Sequence, residues 1–182
     1  MARGMTGDPA PPEGLRRLMG RWATGVSVVT TRSGATDAGL TVNAFLSVSL
    51  APPTVLVSLS READTTPLLR ASGTFAVNLL AADQESLSDR FARTIPPEEK
   101  FRDLSVARGE TGAALIAGTL GAIEARVLRE VVLGDHLLFL GEAVRVHFGR
   151  DSDPLVFFRR GYAHAEAAGW LRLPTTPAPP KG

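Results

Sequence analysis

The chain contains no cysteine, a single tyrosine, two tryptophans and three histidines in 182 residues. The missing cysteine excludes disulfides, a thiol nucleophile, thiolate zinc sites and Cys-ligated iron–sulfur clusters. His136, His147 and His164 are spread over the last third of the chain and do not make a histidine-rich metal site. An excess of one charge is also absent. Twenty Lys+Arg stand against 19 Asp+Glu, a formal net charge of +1, without the basic surplus of a nucleic-acid binder and without an acidic tail. No G-x-G-x-x-G follows a predicted strand, no G-x-x-x-x-G-K-[ST] is present, and no G-x-S-x-G elbow offers a serine nucleophile. Carboxylate pairs suited to glycosidase chemistry do not stand out.

The longest uncharged run, 38–60, has the length of a membrane span but not its content. It carries Thr41, Asn43, Ser47, Ser49, Ser58 and Ser60, and Pro52-Pro53 interrupts it, so it reads as two strands around a turn. Residues 1–12 hold no apolar stretch of the secretory type. The expectation is a cytoplasmic protein that binds neither membrane nor nucleic acid.

What is present fits one globular domain: 44% apolar and 21% charged residues. Composition predicts a disordered N-terminal tail at 1–12, a folded domain at 13–165 and a Pro-rich C-terminal tail at 166–182. Leu15, Leu18, Met19 and Trp22 recur at i, i+3, i+4 and i+7 and predict a first helix, with Trp22 completing its core-facing stripe. Strands are predicted at 26–31, 40–50, 55–60, 75–80, 123–132, 137–146 and 155–158. A short helix is predicted at about 84–91, with Asp83 as its N-cap and Leu87 and Phe91 on one face. Residues 93–103, with Pro96-Pro97 and several charges, read as a surface loop. Many strands, few helices and frequent turns predict an antiparallel barrel rather than a doubly wound sheet.

Residues 40–50 carry the clearest pattern. The even positions Leu40, Val42, Ala44, Leu46, Val48 and Leu50 are apolar; the odd positions are Thr41, Asn43, Phe45, Ser47 and Ser49. Alternate side chains of a strand point to opposite faces, so one face belongs in the core and the other presents a row of hydroxyl and amide groups. These groups do not ionise; they donate and accept hydrogen bonds along a line, which suits a flat ligand with a polar edge. The simpler reading is a solvated strand face, although the run lacks the acids and lysines such a face usually carries. Ser58, Ser60, Arg61, Thr65 and Thr66 form a hydroxyl-rich turn with one arginine, a candidate phosphate cradle. Gly134-Asp135-His136 reads on spacing alone as a hairpin turn with an exposed imidazole.

Taken together these segments resemble the flavin reductase-like, FMN-binding split-barrel family. The resemblance rests on MGRWATGVSVVTT (19–31), GLTVNAFLSVSLAPP (39–53), FAVNLL (75–80), FA (91–92), GDH (134–136), GE (141–142), PLVF (154–157) and GY (161–162), which fall in the family's order over about residues 15–163. It implies a mainly β fold, a six-stranded antiparallel split barrel of Greek-key character with a few short helices, working as a homodimer. It further implies NAD(P)H:flavin oxidoreductase activity, with FMN or FAD as acceptor and NADH or NADPH as donor, and delivery of reduced flavin to a separate monooxygenase. By the same resemblance Thr41, Val42, Asn43 and Ala44 run beside the isoalloxazine with Ser47 on the same face. Ser58, Leu59, Ser60 and Arg61 border the ribityl chain and phosphate, which Thr65 and Thr66 close. Phe91, Ala92 and Arg93 approach the flavin from their helix, Tyr162 lines the pocket, and His136 sits over the nicotinamide. Where many members carry a cysteine, this chain has Ala125. The alternative is a flavin-binding protein of the same fold without significant NAD(P)H turnover.

Overall fold

The computed structural model describes residues 11–164. In chain order the elements are α1 (Pro12–Met19), β1 (Thr24–Gly25), β2 (Ser27–Ser33), β3 (Thr36–Val42), β4 (Phe45–Leu50), β5 (Pro53–Ser60), α2 (Thr65–Ser72), β6 (Thr74–Leu79), α3 (Glu85–Ala92), α4 (Pro97–Phe101), β7 (Val106–Arg108), β8 (Ala114–Ile116), β9 (Gly121–Leu133), β10 (His136–Phe148), β11 (Leu155–Phe158) and β12 (Gly161–His164). The main sheet is antiparallel and has seven strands in the order β3-β2-β6-β9-β10-β5-β4, one more than the six expected. The extra strand arises because the run 40–50 is not one strand: it breaks at Asn43-Ala44 into β3 and β4, which lie at opposite ends of the strand order.

That break closes the barrel. Val42 ends the first edge strand and Phe45 starts the last, and three peptide units span at most about 11 Å. The sheet must therefore curl until its edges meet. At the seam the Ser58 N–H donates to the Ala44 carbonyl at 3.0 Å, stitching the crossover to β5.

Two cores follow from the strand period. On the interior strand β2, Val29 enters a core with Val57, Leu59, Phe75, Val77, Leu137 and Phe139, while Val28 turns to the other side, into a core with Leu80, Leu87, Phe91 and Leu155. Burying each such side chain contributes about 1.5–3 kcal/mol. Asn78 of β6 is also fully buried, and it is satisfied. Its amide donates to the carbonyls of Val28 and Ala114 at 3.1 and 3.2 Å, and its oxygen accepts the Ile116 N–H at 2.8 Å, pinning β8 onto the sheet.

Several expectations need correction. The even-numbered apolar face of 40–50 is in the core only as far as Val42; Leu46, Val48 and Leu50 are 58%, 46% and 88% exposed, on an edge strand whose outer side has no neighbour among the described residues. The first helix starts at Pro12, inside the segment expected to be disordered, with proline at its first position where no N–H is needed. It stops at Met19, so Trp22 lies beyond it, and Trp22 is 67% exposed rather than core. Residues 65–72 form a helix, α2, ended by Gly73 at φ +65°, a left-handed cap that glycine adopts without strain. The 93–103 loop contains α4 and a buried Lys100. Helix α3 matches its expected span, but its N-cap is Gln84; Asp83 pairs with Arg150 instead. The remainder of the two expected tails, 1–10 and 165–182, lies outside the described residues.

Candidate active site

Three clusters of the expected residues surround the seam. The first is the crossover itself. Asn43 and Ala44 are exposed, with Ala44 bound through its carbonyl to Ser58. Val42 is buried, and the Ser27 hydroxyl donates to its carbonyl at 3.2 Å. Asn43 and Ala44 line a cleft of about 650 Å³ together with Trp22, Thr24, Phe45 and Leu46. The other expected residues do not line it. Ser47 is exposed on β4, opposite Val55.

The second cluster joins two distant segments by sheet register. Ser60 of β5 lies directly opposite His136 of β10. The Arg61 N–H donates to the Asp135 carbonyl at 3.0 Å and its guanidinium to the Gly134 carbonyl at 3.3 Å. Gly134 takes φ +57° in the β9–β10 turn, a conformation that costs a side-chain-bearing residue energy. His136 is exposed, its Nδ1 2.9 Å from the Asp135 carboxylate, and the hydrogen bond from His136 holds that carboxyl below its usual range. Thr65 and Thr66 are buried in the first turn of α2, and the Thr66 hydroxyl donates to the Ser60 carbonyl at 2.7 Å. Ser58 is half-buried, and Leu59 is a core residue.

The third cluster is organised by Ser88 of α3, which periodicity alone did not single out. The Thr41 hydroxyl donates to its carbonyl at 2.6 Å, and the Tyr162 hydroxyl lies 2.9 Å from its Oγ and 2.9 Å from the Asp89 carboxylate. Burial, with the Asp89 hydrogen bond and charge, pushes the Tyr162 phenol up, against the opposing Ser88 contact. Phe91 is fully buried, edge-on to Phe101 at 5.1 Å between ring centroids, so its ring packs in the protein core. Ala92 and Arg93 are exposed at the end of the same helix.

A second residue missed in the sequence is Lys100. It is buried, and its ammonium donates to the carbonyls of Gly39 in β3 and Phe91 in α3, at 3.1 and 3.3 Å. Burial lowers its pKa, partly offset by the charge of Asp64. The lysine thus ties the strand leading to Asn43 to the helix ending at Ala92.

The chemistry of this seam is that of neutral donors and backbone. Asn43, Ser47, Ser58 and Ser60 carry no charge; Asn43 lies at the break, Ser58 is bonded to it through Ala44, and Ser47 and Ser60 follow along β4 and β5. Arg61 adds a cation with no carboxylate partner among the described residues, while Arg93 lies apart, lining a separate cavity with Arg90, Glu99 and Asp103. Thr24, which lines the cleft beside Asn43, has a buried hydroxyl with no partner among the described residues. An unmet buried hydroxyl costs about 1–3 kcal/mol. This donor set fits a planar ring with an amide-like edge and an attached phosphate.

Residues 19–166 match the flavin reductase like domain, and the chain belongs to that family. It is 35% identical to the FMN reductase (NADH) RutF of Stutzerimonas stutzeri (strain A1501) over 154 residues, 85% of this chain and 88% of the relative. It is 34% identical to the reductase component of 4-hydroxyphenylacetate 3-monooxygenase from Thermus thermophilus over 154 residues, 82% of this chain and 94% of the relative. Among solved structures it is similar to the NADH:FAD oxidoreductase SgcE6 of Streptomyces globisporus C-1027 in complex with NAD and FAD fragments. That similarity has a TM-score of 0.83 and 34% identity, covering 91% of this chain and 99% of that one.

Proposed function

We propose that this chain is an NAD(P)H:flavin oxidoreductase that passes hydride from NADH or NADPH to FMN or FAD and supplies the reduced flavin to a separate monooxygenase. The observation that carries the reading is the seam itself: a break in the barrel ringed by uncharged donors, with the His136 turn held beside it by the β5–β10 ladder. Bound flavin supplies the hydride acceptor and the nicotinamide supplies the hydride. The chain has to hold two flat rings together at about 3–3.5 Å and exclude water between them. Asn43 and the neighbouring backbone meet the polar edge of the flavin ring and offer donors where negative charge grows on reduction. Ser58, Ser60 and Arg61, with Thr65 and Thr66 behind them, hold the ribityl chain and phosphate; Ser47 and Ala92 border the ring. Thr41 and Tyr162 fix this frame by their shared hold on Ser88. Val42, Leu59 and Phe91 contribute through backbone, since their side chains are buried. His136 faces the nicotinamide. No side chain has to act as nucleophile or base.

The protein works as a homodimer in the cytoplasm. Leu46, Val48 and Leu50 on the open edge strand support the dimer, because an exposed apolar edge is an association surface. Among the described residues no helix is long and apolar enough to cross a membrane.

Anaerobic stopped-flow mixing of the protein with FMN or FAD and NADH or NADPH tests the reading. Rapid bleaching of flavin absorbance is expected, with the faster pair naming the preferred flavin and nucleotide. Flavin binding without bleaching by either nucleotide would leave a flavin-binding protein without turnover.

A further inference from the structure

Five arginines gather at one end of the molecule. Arg16, Arg17 and Arg21, on and just after α1, and Arg159 and Arg160, in the β11–β12 turn, line a cleft of about 480 Å³ whose only carboxylate among the described residues is Glu13. None of the five has a carboxylate within 4.0 Å among the described residues. Like charges packed around a cavity repel one another unless an anion enters. The dipole of α1 accounts for Arg16 and Arg17, which sit in its last turn, but not for the other three.

The β11–β12 turn is the more telling half. Its two central residues take φ +51° and +65°, the geometry of a tight hairpin turn that Asn and Gly prefer. Arginine there costs about 1–2 kcal/mol per residue, and both arginines are exposed, so packing does not repay it. The turn is fixed in place: the Arg159 N–H donates to the Gly20 carbonyl at 2.7 Å, and its guanidinium lies 5.1 Å from the Phe158 ring centroid. Arg159 and Arg160 thereby share one cleft with the α1 arginines, and guanidinium groups suit phosphate oxygens.

The cleft is continuous with the proposed flavin site. Arg16, Gly20 and Arg160 also line a neighbouring cavity of about 460 Å³ that contains Asn43, Thr24 and Trp22. Those three residues in turn line the cleft at the seam. Arg16 is also near enough to Asp135, beside His136, to add to the hold of His136 on that carboxyl. A trough therefore runs from the ring-binding end to the arginines.

We propose that the arginine cluster is an anion subsite for the diphosphate–adenosine half of a dinucleotide whose reactive ring lies at the Asn43 seam. The proposal rests on the flavin reductase reading. NAD(P)H and FAD both carry such a half; in FAD the flavin-side phosphate, like that of FMN, stays at Arg61, and only the adenylate-side phosphate and adenosine extend to the cluster.

The test is calorimetric titration of the full chain with ADP, in the wild type and in the Arg17→Gln/Arg21→Gln/Arg159→Gln variant. Flavin affinity is measured by fluorescence and nucleotide KM by steady-state assay on the same proteins. ADP is expected to bind the wild type at one site, to weaken with added salt, and to bind the variant about tenfold less tightly, as loss of charge-assisted hydrogen bonds requires. Loosened FAD with unchanged FMN affinity and NADH KM assigns the subsite to the flavin. A raised NADH KM with both flavins unchanged assigns it to the nicotinamide nucleotide. Absence of ADP binding, salt-independent binding, or equal affinity in wild type and variant overturns the proposal. Should wild type fail to bleach flavin while ADP affinity still falls in the variant, the reductase reading fails and the anion site stands.

Discussion

The Lys100 ammonium donates to the Gly39 carbonyl at 3.1 Å from a position 8% exposed, across the gap between α4 and β3. A second bond reaches Phe91, so one buried cation fixes both the strand that ends at the seam and the helix that borders it. Lys100→Met keeps the volume and strands two carbonyls. Unfolding free energy from urea titration is expected to fall by about 1–3 kcal/mol. Because the frame around Asn43 loosens, the FMN Kd is expected to rise as well; an FMN Kd equal to wild type would confine Lys100 to stability.

Asn43→Leu tests the seam directly. Asn43 is exposed and its side chain makes no hydrogen bond within the described residues, so the fold is expected to be unchanged by circular dichroism. FMN affinity is expected to fall about tenfold, the worth of a lost polar contact and an apolar group set against a polar ring edge. Unaltered flavin affinity would move the ring away from the crossover.

His136→Ala is expected to raise the KM for NADH more than that for flavin in steady-state assays. The imidazole is exposed and, among the described residues, bonded only to its neighbour Asp135, so its removal is expected to cost little stability. Equal effects on both KM values would take His136 out of the nicotinamide site.

Glu124 is expected to contribute to the response to acid. Burial alone would raise its carboxyl. Hydrogen bonds from the Thr111 N–H and hydroxyl, both 2.7 Å, from His147 at 2.8 Å and from the Glu110 backbone outweigh this and hold it below its ordinary value. A carboxyl depressed in the folded state stabilises above its unfolded pKa, about 4.3, and that stabilisation is lost as pH falls through the lower folded value. Wild-type urea midpoints are therefore expected to drop steeply below about pH 4.5. Glu124→Gln is expected to lower the midpoint at neutral pH and flatten this acid limb; an unchanged slope would assign the acid response elsewhere.

Val48→Asp probes association. The residue lies on the edge strand with its side chain exposed, so the isolated fold is expected to tolerate the charge. Light scattering after gel filtration is expected to show a dimer for wild type and a monomer for the variant.

The sequence made the strands and their neighbours legible because period-two patterning is local: 75–80, 123–132, 137–146 and 155–158 fall inside β6, β9, β10 and β11, to within one residue. It hid the break at 43–44, since alternation continues across it unchanged while the chain crosses from one edge of the sheet to the other. Alternation also marks two faces without saying that either is covered, so Leu46, Val48 and Leu50 read as core. Helix α2 was obscured by Thr65-Thr66-Pro67, whose hydroxyls suggested a binding turn; Leu69, fully buried, is the residue that draws it against the barrel. Ser88 and Lys100 carry no local signal at all. Their roles come from partners far away in sequence, Thr41 and Tyr162 for one and Gly39 for the other.

Ser60 and His136 are rungs of one ladder, so the gap between the two sides of the proposed site is an interstrand spacing, about 4.7–4.9 Å. That length belongs to the peptide backbone and is indifferent to which side chains the strands carry. Residues of the 134–135 turn can therefore change without altering the spacing between the strands that carry Ser60 and His136. The ladder sets the separation of the two segments, and the side chains it carries set only what they meet.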